Sequence, residues 1–98
     1  MQRTTPIDTV EEFTLLCGKA QGLITDIRDA EDYDNRHLPN AENIDLMSQH
    51  FVEYFSELNR DTDVFLYCTD GSRSKVAIRI LKEMGFQHLY HLKNGINE

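Results

Sequence analysis

The sequence predicts an α/β fold in which a central, mostly parallel sheet is covered by helices on both faces. Two observations carry this. Short, nearly unbroken apolar runs at 23–27 and 63–67 have the length and composition of strands buried on both sides. Around them stand stretches at 10–20, 51–58 and 74–84 whose apolar residues recur at helical spacing, as helices crossing between parallel strands do.

In chain order, Asp8 or Thr9 can cap a first helix that carries Val10, Phe13, Leu16, Cys17 and Ala20 on one face. On that face Cys17 reads as a small core residue. Gly22 precedes the strand 23–27. Residues 29–35 are too polar for a core element, so a single helical turn at 30–33 is expected. Pro39 stops any helix, and 41–46 offers a second short strand. Ser48 can cap the next helix, with Phe51, Val52, Phe55 and Leu58 turned inward. Asn59, Arg60 and Asp61 turn the chain into the strand 63–67. The helix at 74–84 has the stripe Val76, Ala77, Ile80, Leu81 and Met84, and Gly85 supplies a left-handed stop. A last strand, 88–92, leads to Lys93, Asn94 and Gly95.

Composition narrows the function. The 98 residues, 40% hydrophobic and 28% charged, predict one domain over 1–98 with a modest core that needs no metal or disulfide staple. A formal net charge of −7 without a Lys/Arg cluster argues against nucleic acid as a partner. No run approaches the roughly 20 apolar residues of a membrane span. The first residues lack the apolar centre of a signal peptide. A reducing cytoplasm is therefore expected, where a thiol stays free. Cys17 and Cys68 lie far apart with no CxxC spacing, which disfavours structural zinc; nothing in the sequence supports a disulfide between them. No cofactor is expected.

The chemistry concentrates in Tyr67-Cys68-Thr69-Asp70-Gly71-Ser72-Arg73-Ser74. Cys68 ends an apolar strand, small turn residues follow, and an amphipathic helix then begins. Ligands of such sheets bind at the carboxyl ends of the strands. The following helix N-terminus, with its exposed N–H groups and positive dipole end, favours an anion there. Settings of this kind lower a cysteine pKa from about 8.5 to roughly 3.5–7.5. Gly71 permits a positive-φ turn and close approach of backbone to sulfur. Ser72 and Ser74 can cap the helix or donate to an oxyanion. Arg73 can offer its guanidinium fork to an anionic group or pair with a nearby acid. Asp70 opposes a thiolate if it points inward and is harmless if it points to solvent.

These residues resemble the active-site loop of the rhodanese (sulfurtransferase) family, in the pattern Cys-x-x-Gly-x-Arg-Ser. Asp26-Ile27-Arg28 is similar to the family's Asp-Val-Arg segment. Glu31, Tyr33 and the run His37-Leu38-Pro39-Asn40-Ala41-Glu42-Asn43-Ile44 resemble its acidic-aromatic turn and its His-Ile-Pro-Gly-Ala-x-Asn-Ile box. Gly85-Phe86 and the stretch ending Lys93-Asn94-Gly95 resemble its last strand and glycine pair. The likeness covers about 23–95. It implies a three-layer fold and a sulfur relay in which Cys68 takes a sulfane sulfur from thiosulfate or a persulfide and passes it to a thiol or cyanide. Thr69, Asp70, Gly71, Ser72, Arg73 and Ser74 would cradle the anionic sulfur. Arg28 either faces the site or forms a structural ion pair, and Asp26 anchors loops by hydrogen bonding. His37, His50, His88 and His91 need no catalytic role, because a preformed thiolate needs no base. The implied partners are a small anionic sulfur donor and a thiol or protein acceptor.

Some positions depart from the family pattern. Arg36, Asn40 and Asn94 stand where glycines are usual, and Arg adopts positive φ least readily of the three replacements. The chain stops before the family's usual closing helix, so one sheet face is expected to be less covered, leaving a monomer or a weak homodimer. Two other functions compete. Phosphatases and arsenate reductases also use a loop cysteine followed by an arginine, but their loop is one residue longer than the four residues between Cys68 and Arg73 here. A non-catalytic rhodanese-like binding or sulfur-carrier module would have less need of Cys68, Gly71, Arg73 and Ser74 together.

Overall fold

The apolar run at 63–67 becomes the centre of the sheet. In the computed structural model, which describes residues 2–96, five strands run parallel in the order β1-β5-β4-β2-β3. They are β1 (Arg3–Ile7), β2 (Leu23–Asp26), β3 (Glu42–Asn43), β4 (Asp63–Tyr67) and β5 (His88–Leu92). The helices are α1 (Val10–Ala20), α2 (Ala30–Asn35), α3 (His50–Ser56) and α4 (Ser72–Glu83).

Side chains alternate across β4, so its two faces feed two cores. Val64 and Leu66 pack with Phe51, Phe55, Ala77, Ile78 and Leu81 beneath α3 and α4. Phe65 and Tyr67 pack with Phe13, Cys17 and Leu92 beneath α1. The same alternation puts Cys68 on the face of α4 and apart from Cys17, so both cysteines are free. Phe65 stacks on Tyr90 with ring centroids 4.1 Å apart and meets the edge of Phe13 at 5.4 Å.

Several elements differ from the sequence reading. Strand β1 is unforeseen, because Arg3-Thr4-Thr5-Pro6-Ile7 is polar and contains a proline. At a sheet edge Pro6 costs no ladder bond on its solvent side, and only Ile7 is buried. The strand expected over 41–46 pairs only at Glu42–Asn43, because β2 ends at Asp26; Ile44 and Leu46 instead donate to the carbonyls of Asp26 and Ile27. The turn at 30–33 is a longer helix, capped by the Asp29 carboxylate on the Asp32 N–H at 2.9 Å. Helix α4 starts two residues early and buries Ser74, Ala77, Ile78 and Leu81. Val76 is half exposed, because the buried stripe includes a serine that an apolar count ignores. Val52 of α3 is likewise half exposed, the helix turning Phe51 and Phe55 inward. Ser48 lies one residue before the cap position, where its hydroxyl accepts the His50 N–H. Arg36 has φ −167°, ordinary extended backbone, so no strain arises there; Asn40 takes the left-handed turn at φ 67°.

Phe65→Ala should remove about 3–5 kcal/mol, a large share of the stability of a small domain, since the ring is fully buried between two aromatic partners. A urea midpoint within experimental error of the parent would contradict this packing account.

Candidate functional site

Connections leaving β2 and β4 diverge. After β2 the chain passes through α2 to β3 on one side, and after β4 it passes through α4 to β5 on the other. The carboxyl ends of these two neighbouring strands thus form a crevice at a topological switch point, the usual ligand position in such sheets. A cavity of about 320 Å³ opens there, lined by Arg28, Asp29 and Asp32 after β2 and by Cys68, Thr69, Asp70, Ser72 and Arg73 after β4.

Cys68 lies at the base of this cavity and is 1% exposed. Its Sγ accepts the Gly71 N–H at 3.2 Å. Gly71 is the cap residue of α4 at φ 90°, which only glycine adopts without strain. A Cβ on Gly71 would lie 1.9 Å from the Lys93 carbonyl oxygen, and one on Gly95 would lie 2.1 Å from that of Thr69. Two turns therefore cross backbone against backbone, pinned further by the Ile96 N–H on the Cys68 carbonyl at 3.1 Å.

The remaining loop residues divide into those that face the cavity and those that hold the loop. Asp70 Oδ1 accepts the Ser72 N–H at 3.0 Å and the Ser72 hydroxyl at 2.7 Å. The backbone bond from Ser72 is the leading reason that the exposed Asp70 carboxyl ionises more readily than usual. Ser72 is thus engaged by Asp70, while Arg73 and Thr69 remain exposed along the cavity. Ser74 is fully buried behind the loop and does not line the cavity; its hydroxyl donates to the Gly71 carbonyl at 2.9 Å. That uses its one proton, so His91 Nδ1, 3.3 Å away, must be the donor to Ser74 Oγ. Burial, followed by the positive Lys75 and Lys93, pushes the His91 pKa down.

Arg28 combines the two roles left open by the sequence. Its guanidinium lines the cavity, yet Nε and Nη2 are bonded to the fully buried Asp26 carboxylate at 2.7–3.2 Å. Asp26 also accepts the Arg28 N–H at 3.0 Å, and Arg28 Nη2 reaches the Arg36 carbonyl. This ion pair ties the end of β2 to the segment before β3. His37 stacks on Tyr33 at 3.8 Å, outside the cavity.

Residues 9–98 match the family model for the Rhodanese-like domain. The chain belongs to the rhodanese-like family. It is 34% identical over 80 residues to a tRNA uridine(34) hydroxylase of Buchnera aphidicola, covering 76% of this chain and 25% of that protein. It is 31% identical over 80 residues to the thiosulfate sulfurtransferase GlpE of Coxiella burnetii, covering 82% of this chain and 73% of that one. An X-ray structure of the rhodanese-like domain of Alr3790 from Anabaena is similar at a TM-score of 0.69 and 26% identity, over 76% of this chain and 70% of that one. The chain thus spans about a quarter of the hydroxylase and nearly three quarters of the sulfurtransferase. Among the described residues, no helix is long and apolar enough to cross a membrane.

Sequence reasoning missed Asp29 and Asp32 as cavity residues and His91 as the brace behind Ser74. Asp29 carried a signal, a capping residue before a short helix, but its nearness to Cys68 depends on strand order. His91 resists protonation in the fold, so below its ordinary value of 6.5 the unfolded chain binds that proton first. Stability present at neutral pH is consequently lost as the pH falls through and below that value. His91→Gln should shrink the drop in urea midpoint between about pH 7.5 and 5; equal drops in variant and parent would remove His91 as the cause.

Proposed function

We propose that this chain is a sulfurtransferase that carries a sulfane sulfur on Cys68, from thiosulfate or a persulfide donor to a thiol or cyanide acceptor. The observation that carries the reading is Cys68 Sγ at the floor of the switch-point cavity, facing the Gly71 N–H at 3.2 Å. A thiolate there attacks the outer sulfur of the donor. The donor's sulfur–sulfur bond breaks, sulfite or a thiol departs, and Cys68 keeps the sulfur as a persulfide. The acceptor then attacks the outer sulfur of that persulfide and Cys68 leaves as thiolate.

The N–H of Gly71 at the start of α4 and the Arg73 guanidinium oppose the negative charge of both states. Arg28 holds its wall of the cavity through Asp26, and Thr69 lines the mouth. Asp70 holds Ser72 in place, and Ser74 fixes Gly71 from behind. Two free cysteines suit a reducing, cytoplasmic setting.

Intact mass after thiosulfate treatment and desalting should rise by one sulfur atom, with no gain in Cys68→Ser; an unmodified parent would leave a binding module as the better reading. Asp70→Asn keeps an acceptor oxygen for Ser72 but removes a negative charge from the cavity. It should raise kcat/KM for thiosulfate about two- to fivefold, and kinetics equal to the parent would show that this charge is not felt by the substrate.

A further inference from the structure

Carboxylates outnumber cations at the opening above Cys68. The cavity's charged side chains are Arg28, Asp29, Asp32, Asp70 and Arg73. Arg28 is already offset by the buried Asp26, which takes two of its guanidinium nitrogens. Arg73 alone is left against Asp29, Asp32 and Asp70. Asp29 and Asp70 each accept a backbone N–H, at 2.9 and 3.0 Å. The Asp32 carboxylate has no hydrogen-bond partner among the described residues, and Asp32 lines the cavity on its β2 side, near Arg28. A persulfide on Cys68 adds a further negative charge. At the mouth of the cavity this surface favours an ammonium group over a carboxylate of similar size.

We propose that the acceptor discharging Cys68 is a small aminothiol, a thiol with an ammonium group near its sulfur, and that Asp29 and Asp32 select it. The inference rests on the sulfurtransferase reading above. A cavity of about 320 Å³ admits such a molecule. Its ammonium sits against Asp29 and Asp32, which carries its sulfur toward the loop on the facing wall. The acceptor loses its thiol proton to solvent and the thiolate attacks the outer sulfur of the Cys68 persulfide. The bond between the two persulfide sulfurs breaks, Cys68 leaves as thiolate, and the aminothiol departs as its own persulfide. The sulfane sulfur changes carrier, with no outside oxidant or reductant. Asp29 and Asp32 are specificity residues here, binding the acceptor at its ammonium end.

The test begins with protein preloaded by thiosulfate, desalted and checked by intact mass. Second-order discharge rates are then measured with cysteamine (cationic), mercaptoethanol (neutral) and mercaptopropionate (anionic). The cysteamine-to-mercaptopropionate ratio is compared between the parent, Asp32→Asn and the Asp29→Asn/Asp32→Asn double variant, so that intrinsic thiol reactivity cancels. Asparagine remains a good helix cap at position 29, and Asp32→Asn removes no hydrogen bond of the side chain. The ratio should fall about fivefold in the double variant and by less in Asp32→Asn. In the parent it should shrink as salt rises. A ratio unchanged by both variants, in protein that carries the persulfide, overturns the aminothiol assignment while leaving sulfur transfer intact. Failure of the parent to acquire the sulfur from thiosulfate and from a neutral organic trisulfide alike overturns both readings.

Discussion

The backbone crossing between the Cys68 loop and the turn after β5 is the constraint on which the site depends. Gly71 lies against the Lys93 carbonyl and Gly95 against the Thr69 carbonyl, each with no room for a side chain. Closeness of that order fixes where the loop can run. It aims the Gly71 N–H at Cys68 Sγ and sets the start of α4. The parallel pairing of β4 with β5 is what brings the two turns together at the carboxyl end of the sheet.

Polar groups complete what the glycines begin. Ser74 is fully buried, yet its hydroxyl both donates to the Gly71 carbonyl and accepts from His91, so no polar atom of it is left orphaned. On the opposite wall, Asp26 and Arg28 form a buried ion pair whose desolvation is offset by backbone bonds at both ends. A buried pair of this kind is weak evidence for stability in itself. Its geometric consequence is clearer, because it ties the end of β2 to the segment before β3 that carries the Arg36 carbonyl. The cavity therefore has two braced walls, one after β2 and one after β4.

Much of the fold was legible where burial and backbone pattern agree. The run Asp63–Tyr67 and the strand His88–Leu92 have the bounds that their apolar residues suggest, and Gly85 ends α4 at φ 98°. Legibility failed where a residue's role came from its neighbours. Strand β1 is held by pairing with β5 rather than by its own hydrophobicity. Val76 looked inward because Ser74, its polar competitor for that face, is buried for the sake of the loop.

The sequence by itself determined the alternation of strands and helices, the family, and the placement of Cys68 at the end of a buried strand before a glycine and an arginine. Those are local matters: periodicity, turn chemistry and residue spacing. Only the tertiary structure decided the strand order, and with it which residues share the cavity. Asp29 and Asp32 stand nearly forty residues before Cys68 in the chain, and they meet it because β2 lies beside β4. Charge around a reactive sulfur depends on distance through space, so the share of this opening's acidity that comes from Asp29 and Asp32 belongs to the fold and not to the Cys68 loop motif.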